Sequence, residues 1–185
     1  MAPRIPPKPV ADLDPETAEL ITKTLRSPDG EPLNIFRTLS HHPVVLRRFM
    51  SLGTELLMKG SLPARERELL ILRTGWNCQS EYEWGQHVAI GRAVGLTDVE
   101  LARIKPGPDA DGWSEGDAAL LRAADELHAA SIITGETWSQ LEAAYPDPAT
   151  QIEILMVIGY YHLVAFFLNT SGVEREVGVV GLDSP

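Results

Sequence analysis

The sequence predicts an all-α protein, a single-domain helical bundle of about seven or eight helices. From Pro43 onward, apolar residues recur at spacings of three and four, the period of an amphipathic helix. Glycine, proline and capping residues divide this region into segments of helix length. No segment shows the strict alternation of a strand, and the one candidate, "EVGVVGL" near the C-terminus, is short and rich in glycine. We therefore expect helices packed on helices around one core.

The N-terminal segment, residues 1–34, is interpreted as an arm rather than a domain. It holds seven of the 14 prolines, so it is expected to be mostly extended, with one short helix over residues 16–25. The sequence alone leaves open whether this arm lies over its own subunit or reaches a neighbour. The helical domain then covers residues 35–172, and a tail covers residues 173–185.

Caps and breakers delimit the helices of the domain in order. The first covers residues 43–59 and ends at Gly60. The second opens at Ser61, with Pro63 in its first turn, and ends near Trp76. The remaining helices are expected from Ser80 to about Gly95, from Thr97 to Ile104, from Ser114 to about Ser131, from Thr134 to about Tyr145, and over residues 149–170.

The most apolar run, "ILMVIGYYHLVAFFL" at residues 154–168, is interpreted as a helix buried in protein. It has 15 residues and contains His162, whereas a membrane-spanning helix needs about 20 apolar residues. The run is apolar on all sides, and in a small chain a second subunit is needed to cover such a helix. We expect a homo-oligomer, either a dimer, a trimer or a hexamer.

Composition and charge exclude several classes of function. The chain has 185 residues and a formal net charge of −10, which argues against binding to nucleic acid or to anionic membrane surfaces. Its single cysteine rules out an internal disulfide, and the N-terminus lacks the apolar core of a signal peptide. A cytoplasmic protein that acts on a small-molecule substrate is the expectation.

The stretch "NCQSEYEWGQH", residues 77–87, holds the only cysteine and the main candidates for a site. Ser80 and Glu83 have the spacing of a capping box, in which each side chain hydrogen-bonds the other residue's backbone N–H. Cys78 lies two residues before this cap, where a thiol can be activated, although a lone cysteine is more often a small buried apolar residue. His87 lies four residues after Glu83 on the same helix face, so Glu83 is expected to orient it, unless the two form a surface pair.

Glu68 lies in the middle of the apolar helix that precedes this stretch. It is either a solvated carboxylate paired with Arg65 or Arg73, or a carboxylate that faces the next helix and polarises His87. A metal site built from Glu68, Cys78 and His87 matches no strong ligand spacing, so no metal is expected.

The order of a glutamate, a helix, a short connection and "SEYEWGQH" resembles the carboxymuconolactone decarboxylase family, which includes the alkylhydroperoxidase D-like proteins. The resemblance covers about residues 43–172 and includes "LLRAADELH" and "GYYHLVAFFLNTSGV". The peroxidase branch of this family has a glutamate nineteen residues before a histidine and two cysteines between them. Glu68 and His87 keep that spacing, whereas Ser80 and Glu83 stand at the two cysteine positions.

The resemblance therefore implies the lyase side of the family, which decarboxylates a small lactone acid without a metal or an organic cofactor. His87 would be the base or acid, Glu68 and Glu83 would tune it, and Tyr82 would donate to an oxyanion. His162, in the apolar helix, is expected in the core or at an interface more than in the pocket. The residues proposed to contact the substrate are Ser80, Trp84, Trp76, Arg73 and His162.

Two alternatives remain open at this point. One is a peroxidase or another thiol oxidoreductase that works through Cys78 with an external reductant, because one cysteine cannot cycle through an internal disulfide. The other is a non-catalytic oligomer that binds a small ligand or partner. A pocket filled by Trp76, Trp84 and Tyr161 would favour that second alternative.

Overall fold

The computed structural model describes residues 2–27 and 29–184, so Met1, Pro28 and Pro185 of the predicted arm and tail lie outside the described residues. The all-α class is confirmed: the described residues form helices and no strand. Their α-helices are α1 (Pro15–Thr22), α2 (Asn34–Leu39), α3 (Pro43–Thr54), α4 (Ala64–Asn77), α5 (Glu81–Ala93), α6 (Asp98–Ile104), α7 (Glu115–Ala130), α8 (Gly135–Ala144) and α9 (Pro148–Ser171). These are nine, one more than the sequence predicted, because the six-residue α2 at the border between arm and domain was not expected.

Helix α4 lies at the centre of the bundle, where it packs against α5, α7 and α9. Its residues 67–75 are all buried, and Leu69 to Leu72 have no exposed surface at all. Burying one such side chain stabilises a fold by about 1.5–3 kcal/mol. A polar residue in this segment must therefore find a partner within the protein, which applies directly to Glu68.

Helix α9 is, among the described residues, the one helix long and apolar enough to cross a membrane by length and composition. It packs against α4, α5 and α7, and one side of it is buried in the bundle. The opposite side exposes a stripe of large apolar residues: Ile152, Met156, Leu163 and Phe166. Such a stripe fits the expected second subunit, and the homo-oligomer stays a prediction.

The N-terminal arm lies over its own subunit. The backbone N–H groups of Arg4 and Ile5 both donate to the carbonyl of Ser171 at the end of α9, at 2.8 and 3.2 Å. The predicted short helix is present as α1, and Asp14 caps it by accepting from the N–H of Thr17. The arm therefore forms part of the wall of the domain.

The C-terminal tail turns back across α5 and forms no strand in its described part, in agreement with the all-α prediction. Trp84 Nε1 donates to the Ser184 carbonyl at 3.2 Å, and Lys105 Nζ donates to the Leu182 carbonyl at 3.0 Å. Gly85 allows the close approach, since a Cβ at that position would overlap the carbonyl oxygen of Val180.

Replacing Gly85 by Ala is therefore expected to displace the tail and to lower the free energy of unfolding by about 1–3 kcal/mol, the usual cost of overpacking. The matched control is Gly135→Ala, the first residue of α8, where a Cβ would meet nothing within 4 Å. That substitution is expected to raise stability by at most about 1 kcal/mol through helix propensity. Urea unfolding and limited proteolysis of the tail measure both effects, and equal effects at the two positions would contradict the packing argument.

Candidate active site

Glu68 and His87 form a buried pair across the contact between α4 and α5. His87 Nδ1 lies 2.7 Å from Glu68 Oε2, and the exposed fractions of the two residues are 7% and 0%. Of the two arrangements that the sequence left open for Glu68, the carboxylate that faces the next helix is the one present. Because the carboxylate accepts a hydrogen bond, we assign the ring proton to Nδ1, which leaves the Nε2 lone pair as the basic atom.

The other contacts of this pair are few. Arg67 Nε lies 3.4 Å from the second oxygen of Glu68, a long charge-assisted contact. The expected alternatives are wrong, because Arg65 instead pairs with Glu100 and Asp117, and Arg73 pairs with Asp125. A carboxylate with so few partners in the protein interior needs His87 to compensate its burial.

The predicted capping box at Ser80 and Glu83 is wrong. The Ser80 side chain makes no cap bond, and its Oγ and both carboxyl oxygens of Glu83 are buried without a hydrogen-bond partner in the described chain. The Glu83 carboxyl is turned inward against α4, so close that a Cβ on Gly75 would lie 3.1 Å from its Oε1. Burial raises the pKa of Glu83 well above its usual value and therefore favours the protonated carboxyl.

His87 and Glu83 both line one mostly apolar cavity of about 450 Å³. The arm, α2, α3, α5 and α9 supply its walls, among them Leu33, Phe36, Phe49, Met50, Ile90 and Val164. Lys23, near its edge, is the only cationic residue among the described residues that line it. The cavity therefore suits a small, largely apolar molecule without a strong negative charge.

Tyr161 is a wall residue that the sequence analysis named only as a possible filler of the pocket. Its ring stands edge-on to the His87 ring, with centroids 5.0 Å apart and an angle of 88° between the planes. Burial, with the nearby carboxyls of Glu68 and Glu83, raises the pKa of Tyr161 well above its usual value, so the hydroxyl keeps its proton. No described residue is a hydrogen-bond partner of that hydroxyl, which is therefore available as a donor to a molecule in the cavity.

Tyr82 lines the cavity, but its hydroxyl is engaged elsewhere. It donates to Glu176 Oε1 at 2.7 Å and accepts from the N–H of Ile35 at 3.3 Å. The same Glu176 oxygen accepts from the N–H of Asn34, also at 2.7 Å. Tyr82 thus ties the arm to the tail, and the geometry does not support its predicted role as a donor to an oxyanion.

Ser80 and three further residues expected at the substrate do not line the cavity. Arg73 is fixed on the far side of α4 by both carboxylate oxygens of Asp125, at 2.5 and 2.8 Å, and by two backbone carbonyls. Trp76 and Trp84 pack in a second core cluster with ring centroids 5.6 Å apart and an angle of 59° between the planes, and the Lys105 ammonium lies over both rings. Arg73 lies outside the cavity because it pairs with Asp125 on α7. The two tryptophans lie outside it because they pack with apolar residues of α6 and α7.

Cys78 and His162 also lie outside the cavity. Cys78 follows the last residue of α4, and its Sγ is 3.8 Å from His128 Nδ1. Burial raises the pKa of the Cys78 thiol to about 11, which leaves it protonated at neutral pH. His162 Nε2 lies 3.0 Å from the same His128 nitrogen, so the three side chains form a separate cluster.

The geometry of α4 and α5 agrees with the comparison of the sequence with known families. Residues 43–126 match the carboxymuconolactone decarboxylase family, and this span contains both Glu68 and His87. These central helices are thus similar to those of this family. The resemblance seen in the sequence is confirmed over residues 43–126, and the family includes both decarboxylases and alkylhydroperoxidase-like proteins.

Solved structures of this family's fold extend the likeness over nearly the whole chain. A peroxidase-related protein with an alkylhydroperoxidase AhpD core from Ralstonia eutropha shares 23% identity, with a TM-score of 0.80 over 94% of this chain and 93% of its own. A peroxidase-related protein from Silicibacter has 17% identity and a TM-score of 0.80, covering 97% and 96%. The debrominase Bmp8 has 16% identity and a TM-score of 0.78, covering 94% and 92%. No curated protein matches the chain.

Proposed function

We propose that the protein is a cofactor-independent acid–base enzyme that acts on a small oxygenated compound, of the lactone or ketone type, in a decarboxylase-like reaction. The observation that carries this proposal is the buried Glu68–His87 pair at the wall of an apolar cavity, with the protonated carboxyl of Glu83 beside it. Proton transfer requires a base that accepts a proton and an acid that donates one, and in this cavity His87 would be the base and Glu83 the acid.

The reaction would begin at the carbon next to a substrate carbonyl. His87 Nε2 takes the proton from that carbon, and the Glu68 carboxylate stabilises the imidazolium that forms. The enolate oxygen accepts hydrogen bonds from Tyr161 and Glu83, which both line the cavity as neutral donors. Return of the proton to a different carbon gives isomerisation. If the substrate is a β-keto acid that enters the cavity in its neutral form, His87 Nε2 takes the carboxyl proton and carbon dioxide leaves to give the same kind of enolate. The imidazolium then returns the proton to the carbon, which gives net decarboxylation without a charged substrate.

The lining of the cavity supports a substrate of low charge. A lactone acid with a free carboxylate needs a buried cation, and Arg73 is committed to Asp125 outside the cavity. A volume of about 450 Å³ is within the range of small-molecule sites, which is about 300–1,000 Å³. The debrominase with this fold was captured with 2,3,4-tribromopyrrole, a small ring without a carboxylate, which fits a substrate of the same size class.

The geometry favours this chemistry over the two alternatives. A peroxidase that works through Cys78 needs a thiolate in the substrate cavity, whereas this thiol is protonated and does not line the cavity. A non-catalytic pocket was expected to be filled by Trp76, Trp84 and Tyr161. Both tryptophans pack in the second cluster, and only Tyr161 lies at the cavity.

Replacing His87 by Ala is expected to lower turnover by about 10²–10⁴-fold, the usual contribution of a positioned acid or base. The assay follows deuterium uptake and product formation by NMR with a panel of neutral lactones, ketones and β-keto acids, and an organic hydroperoxide. Cys78→Ser serves as the control and is expected to keep full activity. Reduction of the hydroperoxide that depends on Cys78 and not on His87 would overturn the proposal.

A further inference from the structure

Three side chains with soft or borderline metal-binding atoms meet outside the cavity. They come from three separate helical elements: Cys78 from the end of α4, His128 from the last turn of α7, and His162 from the middle of α9. The thiol sulfur and one ring nitrogen of each histidine all lie within 4.8 Å of one another. None of the three residues lines the cavity described above.

The distances fit a tetrahedral ion. Zn–N bonds of about 2.0 Å and a Zn–S bond of about 2.3 Å at tetrahedral angles put two nitrogens about 3.3 Å apart and nitrogen and sulfur about 3.5 Å apart. The two ring nitrogens are 3.0 Å apart, and the Cys78 sulfur is 3.8 Å from His128 Nδ1. The Cys78 sulfur and the His162 ring nitrogen lie within 4.8 Å of one another, so side-chain rotation that brings them closer by at most about 1.3 Å completes the geometry.

Hydrogen bonds outside the cluster already fix the orientation of its members. His162 Nδ1 lies 2.8 Å from the backbone carbonyl of Ile158, and a carbonyl can only accept, so this nitrogen carries the proton and Nε2 presents its lone pair. Asn169 Nδ2 donates to the carbonyl of Cys78 at 2.8 Å and holds the turn after α4. A metal-binding histidine usually has such a bond on its second nitrogen.

We propose that Cys78, His128 and His162 bind Zn²⁺, with a water molecule as the fourth ligand. Binding releases the thiol proton of Cys78 to solvent. His128 moves its ring proton from Nδ1 to Nε2, which is free to hold it because His128 is exposed. The sulfur and both facing nitrogens then each donate a lone pair to the ion, and no electron transfer is involved. The position of His128 in the last turn of α7 adds a favourable interaction between the cation and the helix dipole.

The consequence of such a site is structural as well as chemical. One ion would add a direct link between the end of α4, the end of α7 and the middle of α9, which already pack against one another. A ligand that binds only the folded chain shifts the unfolding equilibrium toward the native state. Zinc is therefore expected to raise the Tm of the full-length protein, and its removal by a chelator is expected to lower it.

The test measures metal content and the ligand signature rather than turnover. The full chain, freed of metal with a chelator and then dialysed against Zn²⁺, is expected to retain one equivalent by elemental analysis. Co²⁺ in its place is expected to give the near-ultraviolet band of a thiolate ligand and the visible bands of a tetrahedral site. Cys78→Ser is expected to abolish the thiolate band, and His162→Ala or His128→Ala to weaken binding at least tenfold, the usual effect of losing support for a metal site.

Two control variants separate this site from others on the chain. His41→Ala removes an exposed histidine outside the cluster, and His87→Ala removes the histidine of the cavity; both are expected to retain zinc and the cobalt spectrum. His128 is exposed, so His128→Ala tests the site without a buried substitution that could prevent folding. Absence of zinc from the parent chain, or zinc uptake that survives in Cys78→Ser and His128→Ala, would overturn the proposal. Loss of turnover in His87→Ala with zinc retained would keep the two sites distinct.

Discussion

Glu83→Gln is expected to stabilise the protein at neutral pH, and the gain is expected to grow as the pH rises. Burial raises the pKa of Glu83 in the folded state above its ordinary value of 4.5. Between those two pKa values the native state holds a proton that the unfolded chain has already released. The native state is thus stabilised fully below pH 4.5 and loses stability as the pH rises through the folded pKa, by about 1.4 kcal/mol per pH unit. The Gln side chain does not ionise in this pH range, so the free energy of unfolding of the variant lacks this pH-dependent loss.

The measurement is urea unfolding of the parent and of Glu83→Gln between pH 4 and pH 9, with equal m-values as the check on two-state behaviour. The matched control is Glu81→Gln on the same helix, whose carboxyl is half-exposed and pairs with Arg175 at 3.2 Å. The free energy of unfolding of Glu81→Gln is expected to change with pH in the same way as that of the parent. Parallel curves for Glu83→Gln and the parent would mean that Glu83 is ionised in the folded state.

The proposed mechanism explains why the protein keeps a buried carboxyl at Glu83 although it lowers the stability of the fold. A residue that only filled space here could be apolar, and the neighbouring core shows that apolar side chains pack well at this depth. A carboxyl without a hydrogen-bond partner in the described chain is expensive unless a ligand uses it. A protonated carboxyl can donate to an oxyanion, which an ionised one cannot, so the burial that destabilises Glu83 also prepares it as an acid.

Local signals in the sequence predicted the helices well wherever the relevant partners are close in the chain. Thr97 and Glu100 form a capping box at the start of α6, as their spacing allows. Ser80 and Glu83 have the same spacing at the start of α5 and form none. The difference is that the first pair is on the surface, whereas the second faces α4, and packing in the interior outcompetes a local motif worth about 1 kcal/mol.

The candidate site was only partly predictable for a related reason. The Glu68–His87 pair has the family's spacing, and both residues lie on long helices that pack side by side. The cavity beside it depends on the arm, since Leu25 and Leu33 line its wall through contacts that the sequence periodicity does not predict. The cluster of Cys78, His128 and His162 likewise joins elements that are far apart in the chain, so each residue taken singly was interpreted without the others.

Glu68→Gln is expected to lower kcat by about 10²–10⁴-fold while changing KM little, under the proposed acid–base function. Gln has nearly the same shape, so the packing of α4 is preserved. Its amide carries no negative charge to stabilise the imidazolium of His87. The amide NH₂ can also donate to Nδ1, which moves the ring proton to Nε2 and removes the basic lone pair from the cavity. Glu68 thus acts through His87 as a positioning residue.

Two readouts separate this role from a merely structural one. The nitrogen NMR shifts of His87 report its tautomer, and the parent is expected to carry its proton on Nδ1 whereas Glu68→Gln carries it mainly on Nε2. Glu66→Gln, two residues earlier on α4 and away from the cavity, is expected to leave both kcat and the tautomer unchanged. Full activity in Glu68→Gln despite a changed tautomer would remove His87 as the base. The buried pair would then be a structural element of the α4–α5 contact, and the chemistry of the cavity would rest on Glu83 and Tyr161 alone.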